Sequence, residues 1–81
     1  MPLVVINVHL KNEILDPQGR AVLGALSRIG LTGVSDVRQG KQFKLHFEEE
    51  LSPNKIAEIE KVAQTLLSNP VIEDFTIEVK E

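Results

Sequence analysis

Apolar and polar residues alternate from Leu3 to Lys11. Val4, Ile6, Val8 and Leu10 fall on one face, and Val5, Asn7, His9 and Lys11 on the other. That two-residue period predicts a half-buried strand. At Asp16 the period changes. Asp16 suits an N-cap, because its carboxylate can accept from free N–H groups of a first turn, and Pro17 suits the first helical position. Val22, Ala25, Leu26 and Ile29 then recur at helical spacing, and Gly30 can close the helix in the left-handed conformation. Gly24 inside that helix costs about 1 kcal/mol against Ala, so a close approach of helix to sheet is expected there. Val34 to Gln39 predicts a second strand, with Val34 and Val37 out of phase for a single face. Gly40-Lys41 is the expected hairpin turn. Phe43, Leu45 and Phe47 alternate with Lys44, His46 and Glu48, which predicts a third strand.

Ser52-Pro53 repeats the cap-then-proline signature. Ile56, Ile59, Ala63, Leu66 and Leu67 place an apolar stripe on the helix that follows, with Val62 beside it. Asn69-Pro70 stops it. Val71 to Val79 is the last predicted strand, where Phe75, Ile77 and Val79 alternate with Asp74, Thr76 and Glu78. The order β-α-β-β-α-β points to an α+β chain: a ferredoxin-like two-layer sandwich with a four-stranded antiparallel sheet and both helices on one face. The first and third strands would sit in the middle. The helices would cover Val4, Ile6, Val8, Phe43, Leu45 and Phe47. The open face would show Val5, Asn7, His9, Lys44, His46 and Thr76.

At 81 residues, the chain is expected to form a single domain over 1–81. It contains no cysteine, which removes disulfides, thiolate metal sites and a cysteine nucleophile. No apolar run is long enough to span a bilayer, and a cytoplasmic location is expected. The net charge of −3 disfavours a general nucleic-acid binder. The charge is uneven: residues 1–47 carry six basic against three acidic side chains, and residues 48–81 three basic against nine acidic. Most of these are expected to be solvated surface, though complementary patches of this kind also orient a partner or a second copy.

The inventory for catalysis is thin. His9 and His46 share the expected open face, with Asp74 the nearest further ligand for a metal, but surface histidine is the better reading. Ser27, Ser35, Ser52 and Ser68 have no recognisable triad partners. No glycine-rich phosphate loop is present. The helix start at Asp16-Pro17-Gln18-Gly19-Arg20 has the N–H groups and dipole that attract anions, but the Asp16 carboxylate competes for them. RNA-recognition modules stack bases on open-face aromatics, whereas all three Phe fall on the expected core side.

Three runs together resemble one family: Leu10-Lys11-Asn12-Glu13-Ile14-Leu15-Asp16-Pro17-Gln18-Gly19-Arg20-Ala21-Val22, then Val37-Arg38-Gln39-Gly40-Lys41, then Leu66-Leu67-Ser68-Asn69-Pro70-Val71-Ile72-Glu73-Asp74-Phe75. The chain resembles PurS, the small subunit of phosphoribosylformylglycinamidine synthase, over nearly its whole length. Ser68 stands where the family often has Ala, and Phe75 where it often has Tyr. The resemblance implies a non-catalytic assembly subunit in de novo purine biosynthesis. Its complex converts formylglycinamide ribonucleotide (FGAR), ATP and glutamine to formylglycinamidine ribonucleotide (FGAM). The glutaminase PurQ releases ammonia, and the synthetase PurL holds ATP and Mg²⁺ and accepts it. The small subunit would bridge the two as a homodimer or homotetramer, with no catalytic residue, cofactor or metal of its own and no nucleic-acid or membrane partner. Asp16, Gln18, Arg38, Lys41, Asn69, Glu73 and Asp74 are the expected partner-interface residues. Arg38 and Lys41 are expected to meet an acidic partner or a nucleotide phosphate. The alternatives are a small-molecule-sensing domain of the ACT kind, with its ligand near the first helix start, and an oligomeric scaffold.

Overall fold

The computed structural model describes residues 1–80; Glu81, counted above in the acidic half, lies outside them. The elements are β1 (Leu3–Leu10), α1 (Pro17–Arg28), β2 (Gly40–His46), α2 (Pro53–Val62) and β3 (Glu73–Lys80). A π-helical turn, Ala63–Leu67, continues α2. The strands form one antiparallel sheet in the order β2-β1-β3. Central β1 is the apolar axis. Val4 lies opposite Leu45 and Val79, and Ile6 opposite Phe43 and Ile77. Val4, Ile6 and Val8 are buried beneath Ile59 and Ala63, with Phe43, Leu45, Phe47, Leu51, Leu67, Phe75 and Ile77 packed around them. On the opposite face Val5 is also buried, hemmed between its cross-strand neighbours Lys44 and Glu78.

Both helices begin as their sequences require. Gly19 N–H donates to Asp16 Oδ1 at 2.9 Å, and Lys55 N–H to Ser52 Oγ at 3.1 Å. Proline occupies the first turn of each. Gly30 closes α1 at φ 98°, a conformation that costs glycine nothing. The wide turn after α2 carries two side-chain bonds to the backbone: Thr65 Oγ1 donates to Lys61 O and Ser68 Oγ to Ala63 O, both at 2.8 Å. The extra residue per turn breaks the expected apolar stripe. Leu67 stays against the core while Leu66 is 76% exposed.

Among the described residues the sheet has three strands, not four. Residues 31–39 form no strand, and Gly40-Lys41 is not a turn. Gly40 is already paired with His9, so the chain enters β2 directly and never reverses. A Cβ at Gly40 would lie 2.8 Å from the Val8 carbonyl oxygen, so the glycine serves close pairing with β1. α1 contributes no residue to the core, and α2 alone covers the apolar face. Gly24 meets only the Arg28 guanidinium at 3.6 Å, so no helix–sheet approach occurs there. The tight glycine is Gly19, where a Cβ would overlap the Val37 carbonyl oxygen. The last strand starts at Glu73 instead of Val71, because Ile72 and Glu73 N–H both donate to Asn69 O and shape a turn.

Ile6→Ala removes a fully buried side chain at the centre of the sheet and is expected to cost about 3 kcal/mol in urea unfolding. Val71→Ala, at a position 78% exposed, is expected to stay within about 0.5 kcal/mol of the unaltered chain.

Candidate functional site

The three runs singled out in the sequence meet at one end of the sheet, where β1 ends and β2 and β3 begin. The first and second runs are joined by side chains. Asp16 is almost fully buried. Its Oδ1 caps α1, and its Oδ2 accepts the Gln39 N–H at 2.6 Å. Gln39 Nε2 donates to Gln18 Oε1 at 2.6 Å. Arg38 Nη2 donates to Lys11 O at 3.0 Å and to Ile14 O at 2.7 Å. The first and third runs are joined by Lys11 N–H donating to Ile72 O at 2.9 Å and by an ion pair of Lys11 with Asp74 at 3.8 Å. The second and third are joined by Lys41 and Glu73 at 3.7 Å, with the Lys41 ammonium 5.9 Å above the Phe43 ring.

A cleft of about 250 Å³ opens at this junction. Of the expected interface residues, Asp16, Gln18, Lys41 and Glu73 line it, together with His9 and Gln39. Asn69 stands behind Glu73: its N–H donates to Glu73 Oε1 at 2.7 Å, and its own Oδ1 accepts the Val71 N–H at 3.1 Å. Asp74 lies in a neighbouring hollow with Ser68, Pro70 and Phe75. Arg38 uses Nη2 within the chain. Its guanidinium braces the loop after β1, so those donors serve the chain's own carbonyls.

Three roles at the junction were not foreseen in the sequence, although the residues stand in the runs quoted above. Gln39 supplies both a backbone and a side-chain bond to the first run. Lys11 reaches Asp74, a partner legible only once β1 and β3 are known to pair. Gly19 admits the Val37 backbone. His9 and His46 do share the open face, but at opposite ends of the β1–β2 ladder. His9 opposes Gly40 and His46 opposes Leu3, a separation of about 20 Å at 3.4 Å per residue. The conceivable two-histidine metal site is therefore not formed, and no cluster of three potential ligands exists among the described residues. No helix among them is long and apolar enough to cross a membrane.

The Asp16 carboxyl is held below its ordinary value of 3.8. The backbone N–H groups of Gln39 and Gly19 stabilise the anion and outweigh the opposing cost of burial, and Arg38 adds a weaker attraction. Because the folded value lies below the unfolded one, this group stabilises the fold fully above pH 3.8, and the contribution is lost as pH falls through the folded value. Asp16→Asn is expected to lower the melting temperature at pH 7 by about 5 °C. The gap to the unaltered chain should stay constant down to pH 5 and narrow below pH 3.8 in calorimetric scans.

Residues 3–81 match the family described as PurS: Phosphoribosylformylglycinamidine (FGAM) synthase. The Mycobacterium leprae phosphoribosylformylglycinamidine synthase subunit PurS is 52% identical over 77 residues, which cover 95% of this chain and 94% of that one. The structure of Bacillus subtilis PurS superposes with a TM-score of 0.84 at 40% identity, covering all of both chains. A chain in the structure of PurLQS from Thermotoga maritima superposes with a TM-score of 0.80 at 27% identity, covering 99% of this chain and all of that one. The chain belongs to the PurS family.

Proposed function

From that membership, we propose that the chain is the non-catalytic assembly subunit of a phosphoribosylformylglycinamidine synthase complex. It holds a PurQ-type glutaminase against a PurL-type synthetase, so that ammonia released by one is captured by the other before it reaches water. The observation that carries this reading is the full-length likeness to the chain found in the Thermotoga maritima PurLQS structure. ATP and Mg²⁺ belong to the synthetase in this reading, and this chain acts as a homodimer or homotetramer in the cytoplasm.

The convergence of the three runs supports the junction as the surface that meets a partner. Among the described residues no buried side-chain polar atom lacks a hydrogen-bond partner, Asp16 at this junction included, so docking there strands none of them. Lys41 is half exposed, while Glu73 is mostly covered. Lys41 is thus the charge at the mouth of the cleft that is free to re-pair with a partner carboxylate. Both oxygens of Asp16 are occupied by backbone N–H groups, so this helix start holds no vacant anion site of the kind a small-molecule sensor would use. The chain's contribution to rate is positional: fixing two active sites relative to one another replaces a diffusive encounter with an intramolecular one.

The test measures glutamine-dependent amination of FGAR by the PurL and PurQ of the same organism, with and without this chain. Free ammonia serves as the nitrogen source in a parallel assay. The chain is expected to raise the glutamine-dependent rate about tenfold or more and to leave the ammonia-dependent rate unchanged. If neither rate responds, the assembly reading fails. Lys41→Glu is expected to weaken capture of the chain by its partners about tenfold while leaving its melting temperature within a few degrees, since an exposed ion pair contributes at most ~1 kcal/mol.

A further inference from the structure

The end of α2 turns an apolar residue away from a core that could have taken it. Leu66 follows Ile59 and Ala63 at the i, i+4, i+7 spacing of one helix face, so an unbroken α-helix would set it over the core. The π-helical turn Ala63–Leu67 moves Leu67 into that place and leaves Leu66 76% exposed. Val71, in the connection to β3, is 78% exposed, and Pro70 beside it is exposed as well. Apolar residues scattered singly on a surface need no explanation. These three differ, because hydrogen bonds fix the backbone that presents them.

Ser68 Oγ donates to Ala63 O at 2.8 Å across the wide turn. Asn69 N–H donates to Glu73 Oε1 at 2.7 Å, and Asn69 Oδ1 accepts the Val71 N–H at 3.1 Å. Asn69 O accepts the Ile72 and Glu73 N–H groups at 3.1 and 2.7 Å, and Lys11 N–H ties Ile72 O to the end of β1 at 2.9 Å. A π-helical turn is rare, occurs mostly as a single turn within an α-helix, and is frequent at functional sites. Here the core gains nothing from it, because Leu66 in an α-helical turn would fill the place that Leu67 takes. Its result is an apolar connection that is ordered before anything binds, so docking it loses little conformational entropy.

We propose that Leu66, Pro70 and Val71 form a preformed apolar anchor that enters an apolar socket with a basic rim on a protein subunit unlike this one. The proposal rests on the assembly reading above and adds to it the place where this chain grips a larger subunit. Binding energy at protein interfaces concentrates in a few buried anchors ringed by polar contacts. Asn69 and Glu73 belong both to this connection and to the junction of the three runs, so the polar ring and the apolar anchor adjoin.

Charge selects the kind of partner. Segment 58–74 carries Glu58, Glu60, Glu73 and Asp74 against Lys61. Lys41 and Lys11 reach in toward Glu73 and Asp74 at 3.7 and 3.8 Å, but the Asp74 side chain stays 59% exposed. A second copy docked here about a two-fold axis would bring this acidic set against itself, and like charges opposed across an interface disfavour the contact. A different subunit with basic side chains around its socket meets the same set with opposite charge.

The test uses the complete chain carrying Leu66→Ala/Val71→Ala, captured separately by the PurL-type and the PurQ-type subunit of the same organism under the conditions of the amination assay. Both side chains are exposed, so the melting temperature is expected to stay within a few degrees of the unaltered chain. Capture by at least one of the two subunits is expected to weaken about tenfold or more. That loss is expected to persist at about 0.5 M salt, where exposed charge contacts are screened. Asp74→Lys is expected to weaken capture by the same subunit about threefold or more, at low salt only. Equal capture of the double variant and the unaltered chain by both subunits overturns the proposal. So does a double variant whose native mass falls while its capture is unchanged, because a second copy then covers the anchor. Unchanged or tighter capture of Asp74→Lys overturns the basic rim. If the unaltered chain is captured by neither subunit, the assembly reading fails and the anchor with it. If the unaltered chain is captured and the double variant is captured equally well, the anchor alone fails.

Discussion

One carboxylate joins the beginning of a helix to the beginning of a strand. Asp16 gives one oxygen to the first turn of α1 and the other to the Gln39 N–H, one residue before β2. Everything between them leaves and returns through that joint. α1 therefore takes its direction from its base, since no core contact fixes it along its length. The surrounding residues follow from this constraint. Gly19 must lack a side chain for the Val37 backbone to come close enough. Arg38 holds the loop after β1 in the shape that brings Asp16 inward. A buried carboxylate with both oxygens satisfied is an asset; with either one stripped of its donor it would be a liability.

The elements legible in the sequence were those whose cause is local. Alternation along Leu3–Lys11 and Phe43–Glu48, and the cap-proline pairs at Asp16 and Ser52, depend on near neighbours only; both caps form, and the strands form there but end at Leu10 and His46. The second strand failed for a nonlocal reason. Strand propensity at Val34–Gln39 is real, but a strand needs an edge to pair with, and within the chain Gly40 is already committed to His9. Likewise the stripe of α2 could not show that a π-helical turn would carry Leu66 out of register. At the site, the punctuation residues Asp16 and Asn69 were readable because their roles are backbone roles. The Lys41–Glu73 and Lys11–Asp74 pairs were not, since they require the β2-β1-β3 order to be known first.

The convergence of three separated runs on one end of the sheet has a simple origin. Antiparallel order places the end of β1 beside the starts of β2 and β3, and the loops that carry the runs flank those three points. A surface built this way is rigid because each loop is tied to a strand end, and the ties are hydrogen bonds made within the chain. For a subunit whose contribution is to hold two others in place, rigidity is the relevant property. A flexible junction would spend binding energy on its own ordering, and the positional advantage would shrink accordingly.

Small size explains why so much apolar surface is left outside. Among the described residues only Val4, Val5, Ile6, Val8, Ile59 and Ala63 are buried hydrophobic residues, with Val5 on the face away from the helix. A core of that size is marginal for 81 residues, where surface is large relative to volume. Val22 and Ile29 of α1 and Leu66 of the π-helical turn accordingly stay exposed in the single chain, because one helix has no apolar face left with which to cover them.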